Sequence, residues 1–150
     1  MKKFKIFAIM LASAALSVMS IFAFAACNDE VFSKGSKMTL VIASNPIAEY
    51  TVDLSGKDKD VKVTELMDAE KIPYTLEGTM ITGAGGLTQD TSAGVYLYLY
   101  TSVEKDKDVT QYMTTIDYKG ETLTSSGVGI LDMTVEDGCT VYIGTIVYGS

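Results

Sequence analysis

The chain has 150 residues, 47% of them apolar, with twelve lysines, nineteen acids, and no arginine, histidine or tryptophan. Those absences remove the bidentate phosphate fork, the usual general base and the usual soft metal ligand. Lys2, Lys3 and Lys5 lie in the first 26 residues, so the remainder holds nine lysines against nineteen acids, a net charge of −10 that disfavours nucleic acid as a partner.

Met1 to Lys5 is a short basic stretch, and Ile6 to Ala26 is an almost unbroken apolar run, the order of a secretory signal. The run is also long enough to span a bilayer. Its end decides for processing: the small Ala25 and Ala26 stand directly before Cys27, and the polar Asn28-Asp29-Glu30 follows. This resembles the lipobox of bacterial lipoproteins, with Phe24 where leucine is usual. The resemblance implies that residues 1–26 are a cleaved lipoprotein signal peptide and that Cys27 is acylated, holding the protein by lipid on the extracellular face of the cytoplasmic membrane. Two acyl chains suffice for stable anchoring. Cys139 is then left without a disulfide partner, and neither His nor Arg is present to lower its pKa, so a buried or turn-lining thiol is expected.

Residues 27–36 read as the lipidated cysteine and a polar tether that reaches about 30 Å when extended. One folded domain is expected over residues 37–150, an ordinary size for a single core. Met38 to Ala43 and Ala48 to Leu54 read as a hairpin around the turn signal Asn45-Pro46. Lys57-Asp-Lys-Asp-Val61 recurs as Lys105-Asp-Lys-Asp-Val109. Alternate aspartates suit calcium, but neither copy has the loop glycine or the terminal Glu, and the interleaved lysines oppose a cation, so solvated loop tips are expected.

Val63 to Pro73 is the one helical candidate beyond the leader, with Thr64 as N-cap, Val63, Leu66 and Met67 on one face, and Pro73 as the stop. Extended segments follow at Tyr74 to Leu76 and Thr79 to Ile81, and the glycines of Gly83-Ala-Gly-Gly86 fit no phosphate-loop spacing and mark a tight bend. Gly94-Val-Tyr-Leu-Tyr-Leu-Tyr-Thr101 is the clearest strand. Val95, Leu97 and Leu99 point to one face, where the helix is expected to pack, and Tyr96, Tyr98 and Tyr100 to the other. Tyr112 to Tyr118 and Glu121 to Thr124 flank the hairpin signal Lys119-Gly120, and Thr140 to Tyr148 is a closing strand. The expected fold class is α+β: a β-grasp-like mixed sheet with one short helix.

The series Tyr50 to Leu54, Thr64 to Ala69, Ile72-Pro-Tyr74, Ile81 with Gly83 to Gly86, Gly94 to Tyr100, Val128-Gly-Ile130 and Val135 to Cys139 resembles the DUF4430 domain, over about residues 45 to 147. That family is a β-grasp unit similar to the C-terminal domain of transcobalamin and intrinsic factor, often carried by surface lipoproteins of Gram-positive bacteria. It often has Trp where Tyr or Leu stands here. In the vertebrate relatives the domain forms one wall of a cobalamin site with a larger helical domain that this chain lacks.

Three readings of function follow. The first is a lipid-anchored, non-enzymatic surface domain holding a small ligand, glycan or partner protein through Tyr96, Tyr98 and Tyr100, since tyrosines offer rigid amphipathic area at low entropic cost. The same row is equally well accounted for as a sheet face covered by the Thr101 to Leu123 segment. The second reading, corrinoid (cobalamin) binding at the cell surface, is implied by the resemblance alone. The third is an enzyme, for which no paired-carboxylate or Ser-Lys spacing stands out.

Overall fold

The computed structural model describes residues 30–149; the expected signal peptide and Cys27 lie outside them. Ten regular elements follow in order: strands β1 (Lys37–Ile42) and β2 (Ala48–Asp53), helix α1 (Val63–Ala69), then strands β3 (Tyr74–Glu77), β4 (Met80–Ala84), β5 (Leu87–Thr88), β6 (Val95–Thr101), β7 (Thr115–Tyr118), β8 (Glu121–Ser125) and β9 (Thr140–Val147). The described residues are thus mostly β, with one short α-helix and two single-turn 3-10 helices, Thr91–Ala93 and Glu104–Asp106. Six strands form a mixed sheet in the order β2-β1-β9-β6-β8-β7, and β3, β4 and β5 form a second, antiparallel sheet. β1 and β9 run parallel; the other neighbours are antiparallel.

Alternation along the strands sorts the residues of the large sheet onto two faces. One face carries Met38, Leu40 and Ile42 of β1 with Val141 and Ile143 of β9, and these join Val63, Leu66 and Met67 of α1 in the main core. Leu97 and Leu99 pack half-buried against that cluster, whereas Val95 does not belong to it. β9 rather than β6 has strand partners on both sides over much of its length, because β8 meets β6 only at Tyr100 and Thr101. Glycines end two elements where the backbone turns left-handed: Gly85 and Gly86 bend β4 into β5, and Gly120 with Lys119 joins β7 to β8.

Three expectations are corrected. The helix begins two residues earlier than a Thr64 N-cap requires. Lys62 is the N-cap, its N–H donates to Glu65 Oε1 at 3.2 Å, and Thr64 is buried within the first turn. The packed unit starts at Phe32, not near Lys37. Phe32 is 5% exposed in the main core and is tied to the loop after β2, donating to the Lys57 carbonyl at 2.8 Å and accepting from Gly56 N–H at 3.0 Å. The second Lys-Asp-Lys-Asp copy is not a solvated tip. Asp106 is 6% exposed, and its carboxylate accepts from the Thr134 N–H and hydroxyl, pinning the loop that carries Met133 into the core. In the first copy Asp58, Lys59 and Asp60 are exposed, as expected.

Candidate binding surface

The second face of the large sheet is built by β6 and β9. Tyr96, Tyr98 and Tyr100 stand opposite Ile146, Gly144 and Tyr142, and β1 adds Val41 and β2 adds Glu49 in the same row as Tyr142. Gly144 is what lets aromatic rings crowd here. A Cβ at that position would stand 2.9 Å from the Tyr142 ring, so the missing side chain gives the ring its place.

The β7–β8 hairpin crosses this face as a strap. It leaves the sheet at Tyr100–Ser125, yet its tip reaches β2, three strands away from β6 in the sheet order. There Tyr118 Oη donates to Glu49 Oε2, and Lys119 Nζ lies 2.7 Å from the same oxygen. Further back Glu121 Oε2 accepts from the Thr140 hydroxyl at 2.8 Å. Val41 and Tyr100 of the sheet and Leu123 of the strap are buried without belonging to the main core.

Six tyrosines run along this face as a band. Tyr98–Tyr100, Tyr100–Tyr142 and Tyr142–Tyr118 ring centroids lie 5.4, 6.0 and 5.5 Å apart, and Tyr96–Tyr148 lie 5.9 Å apart, all edge-to-face. Burial, then the neighbouring Tyr98, raises the Tyr148 phenol above its ordinary pKa and links the two groups of rings. Each such pair contributes about 0.5–1.5 kcal/mol beyond area burial. At the other end of the band the Glu49 hydrogen bond raises the Tyr118 phenol, while Lys119 and then Tyr118 hold the Glu49 carboxyl below its usual range.

The tyrosine row expected from β6 is therefore divided. Tyr100 is 7% exposed under the strap, a structural position, while Tyr96 and Tyr98 are half-buried at the open end and Tyr148 is 56% exposed beside them. Sequence reading missed Tyr142, Tyr148 and the Glu49–Lys119 pair. An isolated glycine inside a β-branched strand, Gly144, was the available sign of crowding on this face.

Elsewhere, a cleft of about 500 Å³ lies between the two Lys-Asp-Lys-Asp segments, where Phe32, Lys59, Lys105, Glu136 and Asp137 line it with mixed charge. Among the described residues no group of three or more His, Cys, Asp or Glu is placed to hold a metal ion, and no helix is long and apolar enough to cross a membrane. Compared with known proteins, the chain matches no family model and no curated protein.

Proposed function

We propose that this protein is a lipid-anchored extracellular domain, not an enzyme, which holds a small ligand, glycan or partner protein on the open half of its tyrosine band. One observation carries the reading. The strap covers Tyr100 and leaves Tyr96, Tyr98 and Tyr148 uncovered at one end of the sheet. Phe32 lies at the other end, beside the start of β1, while Tyr148 follows the last residue of β9, which runs parallel to β1. A six- to eight-residue strand spans about 20–27 Å. A chain tethered through Cys27 enters the domain at Phe32 and presents the tyrosines away from the membrane.

The finer fold reading, a β-grasp unit of DUF4430 kind, is supported by the helix after the β1–β2 hairpin and by the parallel β1–β9 pair inside a mixed sheet. The test of function is a binding screen against glycans, cobalamin and surface proteins, repeated with Tyr96, Tyr98 and Tyr148 all replaced by Ser. Tyr100 stays in place because it is core. Loss of binding with unchanged thermal unfolding supports the site, and binding unaffected by the triple change removes it. The anchor is tested by palmitate labelling in a bacterial host, which the Cys27→Ser change should abolish.

A further inference from the structure

We infer that the open tyrosine surface takes an uncharged oligosaccharide, a conclusion that rests on the site proposed above and narrows it to one class of ligand. The argument is one of charge and chemistry. At the open end β6 and β9 set Tyr96 and Tyr98 opposite Ile146 and Gly144, and Tyr148 packs on Tyr96, so the side chains of this face there carry no charge. At the strap end the ionised groups against Tyr118 are Glu49 and Lys119, and they form an ion pair with each other. Lys119 Nζ also stands 5.6 Å from the Tyr118 ring centroid. The open half of the band thus presents no charged side chain to an anion or a cation, although the strap sets Glu121 against Thr140 and the protein as a whole is acidic.

What the band does offer is aromatic carbon and phenolic hydroxyls. At the open end the Tyr96 and Tyr148 rings are turned 60° to each other with centroids 5.9 Å apart, and Tyr98 stands two residues along from Tyr96 on the same face, so the surface mixes π-faces, ring edges and O–H groups. A sugar ring has the matching pattern, C–H groups on its faces and hydroxyls around its rim, with no charge to desolvate. A charged glycan gains nothing here and must lose hydration to bind. A purely apolar ligand leaves the tyrosine hydroxyls without partners.

The experiment uses the full chain in a detergent that has no sugar headgroup. Cellohexaose, chitohexaose, maltohexaose, mannohexaose and xylohexaose are titrated by calorimetry and by tyrosine emission, which no tryptophan obscures. An oligogalacturonate serves as the charged comparison. The expected result is that at least one neutral hexasaccharide binds and that the oligogalacturonate does not compete. Tyr98→Ala and Tyr148→Ala should each weaken that binding about tenfold, the scale of one lost aromatic contact. Tyr112→Ala, on a separate loop and 74% exposed, should leave it unchanged. No binding by any neutral hexasaccharide at millimolar concentration, or preferential binding of the oligogalacturonate, overturns the inference. If a peptide or protein ligand instead depends on Tyr98 and Tyr148, the surface stands and only the glycan falls. If a neutral glycan binds but neither change affects it, the inference and the site reading fall together.

Discussion

Burial pushes the Cys139 thiol up to about 11 from an ordinary 9.0, with the hydrogen bond from the Glu136 N–H to its sulfur opposing the shift. At neutral pH that makes the thiolate about a hundredfold rarer than in the unfolded chain, and the thiolate is the reacting form. Iodoacetamide labelling of Cys139, read by mass spectrometry of its peptide, should be at least that much slower in the folded protein than in urea; equal rates would mean an accessible thiol. The sign for stability follows from the raised value. The contribution is fully present below pH 9 and is lost as pH rises through 11. Tyr100 and Tyr96, two residues apart on one face, separate core from surface in the same way. Tyr100→Ala empties space under the strap next to Val41 and Leu123 and should cost about 3 kcal/mol in urea unfolding, whereas Tyr96→Ala should cost about 1 kcal/mol or less.

The strap is the element that two carboxylates tie across the sheet, Glu49 at its tip and Glu121 further back. Its two ladder partners on β6 fix one end, and Glu49 fixes the tip by accepting from Tyr118 Oη and Lys119 Nζ. Those two donors hold the Glu49 carboxyl below its usual 4.5, so their contribution is present above that value and is lost as pH falls through the lower folded one. Hydrogen exchange over residues 115–125, corrected for intrinsic rates, should therefore accelerate below pH 4.5. In Glu49→Gln it should be faster than wild type at neutral pH and show no such acid step; an acid step that survives the change would assign the latch to another group. The Lys119-Gly120 turn and both flanking strands were legible from the pattern. Where the hairpin lies was not, because alternation tells which residues share a face but not which strand a hairpin folds across. That is why the β6 tyrosines could be read with equal right as open or covered, and why both readings hold for different members of one row.

At the scale of the whole molecule, the β1–β2 hairpin, the helix at Val63, the glycine bend after β4 and the closing strand β9 all lie where propensity and turn chemistry place them, since each is decided by neighbours in sequence. The domain boundary is decided by a contact between distant segments, and so Phe32 reads as tether among Asn, Asp, Glu, Ser and Lys while its ring completes the core. Its backbone is fixed to Gly56 and Lys57, and Lys59 Nζ lies 5.8 Å over the ring. Under the proposed lipidation of Cys27, the tether shortens to the residues between Cys27 and Phe32, about half the span that a boundary at Lys37 would allow. The packing also bears on stability, because Phe32→Ala removes a ring 5% exposed among Leu54, Val63 and Val135. Its expected cost is about 3–5 kcal/mol, measured as a lower urea midpoint with an unchanged slope. Lys34→Ala, two residues later and exposed, should cost less than about 0.5 kcal/mol. Equal and small effects at the two positions would return the start of the folded domain to Lys37.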